Sequence, residues 1–258
     1  SAVLFIAASE TESNLYYATR FIAPDPFIYL EVKGERLMVM SDLEVDRARN
    51  QATVDRVLSY SELERRAKSQ GVKDPGTIDV IHLVLQDAGL KDILVPPTFP
   101  FLHASRLQEL GYRLRTKREP FYEQRVMKSD DEVRHIEAAQ RATETAVAAA
   151  HQTLRRAEIR DNVLWLDGEI LTSERVKKLI NVALMECDCV AQHTIVAGGE
   201  QACDPHDEGS GPLPAHRSII FDVFPRSAGT RYFADMSRTV VRGTPSPELT
   251  RLYHAVKD

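Results

Sequence analysis

Apolar runs and their spacing divide the chain into alternating strand-like and helix-like stretches. Ala2 to Ala8 is a short continuous apolar run and reads as a buried strand. Phe27 to Val32 and Arg36 to Met40 flank Lys33-Gly34-Glu35, which predicts a hairpin with glycine in the tight turn. Asp42 is a candidate cap for a helix running through Glu44, Arg47 and Ala48. Asp74 and Pro75 form an N-cap and first-turn pair, after which Ile78, Ile81, His82 and Leu85 recur on one helical face until Gly89. Ile93 to Val95 reads as a short strand stopped by Pro96-Pro97, and Leu102 to Leu110 as a helix ended by Gly111.

The pattern changes near residue 125, where a domain boundary is expected, giving domains 1–125 and 126–258. Ser129 with Glu132 forms a capping box opening a long helix, with Val133, Ile136, Ala139, Thr143, Val147 and Leu154 spaced for one buried face. A second helix is expected from Ser173 to Glu186, with Val176, Leu179, Ile180, Ala183 and Leu184 inward. After it come an apolar stretch from Val190 to Ala197, a polar loop from Gly198 to His216, and strands over Ser218 to Phe224 and Arg231 to Val241. The whole predicts a mixed α/β (α+β) chain of two domains.

Composition narrows the class. The 258 residues are 43% hydrophobic and 28% charged, with 12 Gly and 13 Pro, as expected of a chain that folds around a core. A formal charge of -5 without a basic block argues against nucleic acid as a partner. No apolar stretch approaches the roughly 18 residues that cross a bilayer, so no membrane partner is expected. Cys187, Cys189 and Cys203 are too few for a disulfide framework and lack usual zinc-site spacing, so they read as reduced thiols in a cytoplasmic protein.

Two aspartates stand in strand-like surroundings, Asp222 in IIFDVF and Asp235 in YFADMSRTVV. Aspartate is depleted in strands, and a buried unpaired carboxylate is costly, so each needs a partner. Pairing around Ala228-Gly229 would set the two opposite one another. A divalent cation between them turns their repulsion into binding, and carboxylate oxygens suit Mn, Co, Zn or Mg. The alternative is that one aspartate pairs with Arg238 or Arg226 and the other sits at a frayed strand end. His206, in CDPHDEGSG, is either an ordinary solvated loop side chain or, being shortly before the aspartate hairpin, a proton donor or acceptor facing substrate. His193, His216 and His254 have no comparable context, and His82 reads as core.

IIFDVFPRSAGTRYFADMSRTVVRG resembles the first metal-binding hairpin of metallopeptidase family M24, whose catalytic domain has the pita-bread fold. CDPHDEG is similar to the family's Pro-His element, VMKSDDEVRHIEAAQRATETAV to the first helix of its catalytic domain, and LTSERV to the second. NLYYATRF and DLEVDRAR are similar to pieces of the creatinase-type N-terminal domain. The resemblance implies a creatinase-type mixed-sheet domain followed by the first half of a pita-bread domain. It also implies a metal-dependent peptidase of the Xaa-Pro aminopeptidase or prolidase type, cleaving the bond N-terminal to proline. Carried over residue by residue, Asp222 and Asp235 would be metal ligands, with Asp235 bridging two divalent ions, Mn, Co or Zn. His206 would contact the peptide substrate and assist proton transfer, and Thr239 would line the site. Phe224 stands where most members have glycine, which leaves substrate preference open.

The family's remaining ligands, a histidine and two glutamates, lie on later strands than this chain reaches. The chain alone is therefore expected to bind metal weakly, to lack peptidase activity, and to associate with another chain, as a dimer. The other readings of the scaffold are a creatinase-type amidinohydrolase, which needs no metal pair, and a non-catalytic peptide- or protein-binding module.

Overall fold

A computed structural model describes residues 2–257, which divide into two compact units, Ser1–Met127 and Lys128–Asp258.

The first unit is built on β1 (Ala2–Ala7), α1 (Ser13–Thr19), β2 (Phe27–Val32), β3 (Glu35–Met40), α2 (Val45–Gln51), β4 (Arg56–Ser59), α3 (Tyr60–Ser69), α4 (Thr77–Ala88), β5 (Asp92–Val95), α5 (Phe101–Glu109) and β6 (Arg113–Thr116). Its six strands form one sheet in the order β4-β3-β2-β1-β5-β6. β1, β2 and β3 pair antiparallel, whereas β4, β5 and β6 join in parallel, so the sheet is mixed. Helices α4 and α5 cover one face with Val80, Ile81, Leu85 and Leu107 over Leu4, Ile28, Leu30 and Val39. The opposite face packs Phe5, Tyr29, Met38 and Met40 against Leu15, Phe21, Val45 and Phe121. Burial on both faces explains why β1 is apolar without alternation. The β2–β3 turn holds both Lys33 (φ 54°) and Gly34 (φ 85°) in the left-handed region, the conformation a two-residue hairpin needs.

Two predicted caps are corrected. Helix α2 starts at Val45 after Glu44, while Asp42 instead accepts hydroxyl bonds from Ser59 at 2.9 Å and Ser61 at 2.7 Å. Those bonds hold the Asp42 carboxyl below its usual pKa, Ser61 contributing most. Helix α4 starts two residues later than expected, capped at Gly76, whose N–H donates to Asp79 at 2.8 Å. Strands β4 and β6 were not foreseen, because their short, charge-rich stretches show little periodicity; helix α3 was not foreseen either, although Ser59 and Glu62 mark its start.

The second unit contains α6 (Asp130–Arg156), the small sheet of β7 (Glu158–Arg160), β8 (Val163–Leu166) and β9 (Glu169–Ile170), then α7 (Ser173–Glu186). There follow β10 (Cys189–Val190), β11 (Ile195–Gly198), β12 (Ser218–Val223), β13 (Arg226–Ser227), β14 (Met236–Val241) and α8 (Pro247–Lys257). The capping box forms as read: Ser129 Oγ accepts the Glu132 N–H at 3.3 Å, and Glu132 Oε2 accepts the Ser129 N–H at 2.9 Å. Helices α6 and α7 cover one face of the β11-β12-β14 sheet, with Ala146, Ala150, Leu154, Val176, Ile180 and Leu184 against Val196, Ile219, Phe221 and Val223.

Val133 departs from its predicted buried position and is exposed, while Glu132 beside it is buried. The apolar stretch from Val190 to Ala197 is broken into β10 and β11, which belong to different sheets. The β7–β9 meander was missed, although Asp161-Asn162 and Asp167-Gly168, all at positive φ, supply its two turns.

Candidate metal-binding hairpin

β12 alternates strictly. Ile219, Phe221 and Val223 point into the helix-covered core, which leaves Ile220 and Asp222 on the opposite face. β14 pairs antiparallel with β12, setting Asp222 opposite Ser237 and Ile220 opposite Thr239. The same register continues past the strand ends: Ala234 N–H donates to Pro225 O at 3.1 Å, Arg226 bridges Phe233, and Ser227 N–H donates to Tyr232 O at 2.9 Å. Position 235 therefore falls opposite Phe224, not opposite Asp222.

This corrects the sequence reading by two residues. The cause lies at the hairpin tip, where Ala228 to Arg231 forms the turn: Arg231 takes a positive φ of 65° and its N–H returns to Ser227 O at 3.1 Å. The turn is thus centred beyond Ala228-Gly229. A two-residue slip preserves the face, because side-chain direction repeats every second residue. Asp222, Asp235, Ser237 and Thr239 consequently share one face of the hairpin. Diagonal neighbours of this kind have Cα atoms about 7–8 Å apart. Exposure follows the same alternation from Ala234 to Ser237, with Ala234 and Met236 buried and Asp235 and Ser237 exposed, and beyond it both Arg238 and Thr239 are exposed.

The predicted strand from Arg231 is shorter in the structure. The outgoing arm at Arg226–Ser227 turns aside as β13 to pair with β10, and Ala228 N–H donates to Asp188 O at 2.8 Å. The continuous ladder on the return side starts only at Met236.

Neither aspartate forms an ion pair among the described residues. Asp222 instead accepts a hydrogen bond on Oδ1 from the Ser237 hydroxyl at 2.5 Å. Ser237 was not singled out in the sequence, because its importance depends on the register. His206 lies in an exposed turn where its backbone N–H donates to Asp204 at 3.0 Å. The rest of that loop is held on β11 by Val196 N–H donating to Glu208 O at 3.0 Å. Gly209, at φ +78°, passes so close that a Cβ would stand 1.9 Å from the Val196 carbonyl oxygen. Two further histidines have local partners: His193 Nδ1 is 2.8 Å from Glu208 Oε1, and His216 Nδ1 accepts the Thr244 N–H at 2.9 Å. His82 is half-buried and bonds the Tyr112 hydroxyl at 2.8 Å, in keeping with its reading as core.

The structure thus brings Asp222, Asp235 and Thr239 to one surface and leaves His206 in its own exposed turn. Among the described residues no three His, Cys, Asp or Glu side chains converge into a metal site. Two carboxylates offer four hard oxygens, suited to divalent cations but too few to enclose two of them, so these residues do not by themselves fit a complete dinuclear centre.

A mixed-sheet unit followed by two helices on an antiparallel sheet with an aspartate-bearing hairpin is a fold shared with several solved structures. The chain superposes on the prolidase from Pyrococcus horikoshii with a TM-score of 0.73 at 18% identity, covering 98% of this chain and 64% of that one. For an Xaa-Pro dipeptidase from Bacillus anthracis the TM-score is 0.77 at 16% identity, with 98% and 63% covered. For an X-Pro aminopeptidase from Thermotoga maritima it is 0.73 at 20% identity, with 98% and 66% covered. The chain therefore spans about two thirds of the length of these structures. Residues 134–258 match metallopeptidase family M24, the family resembled in sequence, and this segment includes both aspartates. No curated protein matches the chain.

Proposed function

We propose that this chain is part of a metal-dependent peptidase of the Xaa-Pro aminopeptidase or prolidase type, acting on the peptide bond N-terminal to proline. The observation that supports this most is the placement of Asp222 and Asp235 on one face of the hairpin, free of any arginine and within the M24 segment. In this reading both aspartates bind divalent cation, with Asp235 shared between two ions, Mn, Co or Zn. His206 serves the peptide substrate as a proton donor or acceptor, since an imidazole titrates near neutrality. Thr239, two residues from Ser237 on the same face, lines the site.

The Ser237 hydroxyl orients Asp222 by occupying Oδ1, leaving Oδ2 for a cation. Because the described residues supply too few donors, the chain alone binds cation weakly and turns over no peptide. It gains a stable partner chain, as a dimer. Three free cysteines suit a reducing, cytoplasmic setting, and no described helix is long and apolar enough to cross a membrane. The lack of a three-residue ligand cluster favours one competing reading, a peptide-binding module without catalysis.

Mn titration followed by electron paramagnetic resonance, together with hydrolysis of an Xaa-Pro peptide, separates these readings. Weak Mn binding that disappears in Asp235→Asn supports the metal site, and binding indifferent to that change removes it. Robust turnover by the chain alone would overturn the proposed incompleteness. Light scattering that gives a stable monomer would overturn the partner.

A further inference from the structure

The return arm that delivers Asp235 is held from two sides. Its own outgoing arm holds the backbone, through Ser227 N–H on Tyr232 O and Ala234 N–H on Pro225 O. The second hold comes from the start of α6. The Tyr232 hydroxyl donates to Glu132 Oε1 at 2.6 Å, and Glu132 is only 5% exposed. The other oxygen of the same carboxylate closes the capping box on Ser129 N–H. One turn along the helix, the His135 ring lies 5.5 Å from that of Tyr232.

A capping box needs its glutamate only at the helix end, and an exposed side chain would serve. Here the carboxylate is buried and its second oxygen spans a hundred residues of sequence to a tyrosine three positions before Asp235. The phenol can lie on only one side of the arm, so the bond fixes both the height and the rotation of the segment Tyr232-Phe233-Ala234. With Ala234 and Met236 buried on either side of it, Asp235 inherits that placement. A metal-binding carboxylate tolerates little displacement, about 0.5 Å, before its geometry is lost.

We propose that Glu132 and Tyr232 are positioning residues that aim Asp235 at the cation. The proposal rests on the metal-binding reading of the hairpin. It assigns a second role to the residue that starts the long helix.

The test uses the full chain and Mn alone as the probe. Tyr232→Phe keeps the ring and removes the donor, whereas Glu132→Ala keeps the tyrosine and removes the acceptor. Each is expected to speed amide exchange at Phe233 to Asp235 and to weaken Mn binding by roughly tenfold. The double variant should do no more than Glu132→Ala alone, which already removes the bond to Tyr232 together with the capping-box contact. Glu132→Gln, which retains an acceptor, should restore most of the Mn affinity. Unchanged exchange in Tyr232→Phe, additive effects in the double variant, or faster exchange with undiminished Mn affinity would each overturn the proposal. Mn binding that survives in Asp235→Asn would instead sink the metal reading, and the exchange data would still report whether Glu132 and Tyr232 hold the arm.

Discussion

The Ser237 hydroxyl donates to Asp222 Oδ1 across the β12–β14 hairpin, a bond of 2.5 Å between directly paired positions. Asp235 sits two residues ahead of Ser237 on the same face, without that bond. The two aspartates are therefore chemically unequal. One has an oxygen already engaged and oriented, and the other is exposed with neither oxygen hydrogen-bonded among the described residues.

This inequality predicts graded effects on cation binding. Asp222→Asn and Asp235→Asn should each abolish Mn binding by the chain, since either change removes half of the available carboxylates. Ser237→Ala should weaken affinity by less than about tenfold, because it removes an orienting bond worth about 1 kcal/mol and no ligand. Isothermal titration of the three variants with Mn distinguishes these cases, and an equal loss in all three would contradict the assignment.

His151, on α6, packs at a tilt against Phe221 with ring centroids 5.6 Å apart, and its buried Nε2 has no hydrogen-bond partner among the described residues. Burial, reinforced by Arg155 and Arg238, lowers its pKa below the ordinary 6.5. As pH falls through 6.5, the unfolded chain takes up a proton that the folded chain refuses, so this residue's contribution to stability declines until the native imidazole is also protonated. Thermal unfolding of wild type and His151→Leu between pH 7.5 and about 5 should show a shallower decline in the variant. Parallel curves would show that His151 carries none of the dependence.

Gly209 and Gly229 provide a matched pair. A Cβ at Gly209 would overlap the Val196 carbonyl at 1.9 Å, and its φ of +78° already disfavours a side chain. At Gly229 nothing lies within 4 Å. Gly209→Ala should cost at least about 2 kcal/mol and loosen the loop bearing His206, whereas Gly229→Ala should stay within about 0.5 kcal/mol. Urea unfolding of both variants measures the difference.

Tyr29 is fully buried in the first unit, and neither its hydroxyl nor that of Tyr122 has a hydrogen-bond partner of ordinary geometry. Burial pushes the Tyr29 pKa up to about 12, and raises that of Tyr122 as well. A buried hydroxyl without a good partner contributes little, so Tyr29→Phe should leave stability unchanged or raise it by up to about 1 kcal/mol. A loss of more than about 1 kcal/mol in denaturant unfolding would show that the hydroxyl is satisfied after all.

Much of this fold could be read along the chain, because the signals are local. Helix α6 announces itself by its capping box, α6 and α7 both by 3.6-residue periodicity, and the β2–β3 hairpin by Lys33-Gly34. Local signals misled where a tertiary partner outbid them: Asp42 was drawn to the hydroxyls of Ser59 and Ser61, and Val133 gave up the interior to Glu132. Strands β4 and β6 were illegible because edge strands of a mixed sheet draw their stability from neighbours distant in sequence.

The candidate site divides in the same way. Sequence alone determined that Asp222 stands in a strand and that Asp235 lies across a turn from it, since residue type and spacing are written in the chain; in the structure Asp235 lies just ahead of the strand that begins at Met236. Only the tertiary structure decided their register, because the conformation of Ala228 to Arg231 sets where the hairpin closes and a shift of two residues leaves the apolar alternation intact. It also decided that a buried carboxylate on α6 grips the arm before Asp235, a contact between residues a hundred positions apart that no local pattern encodes.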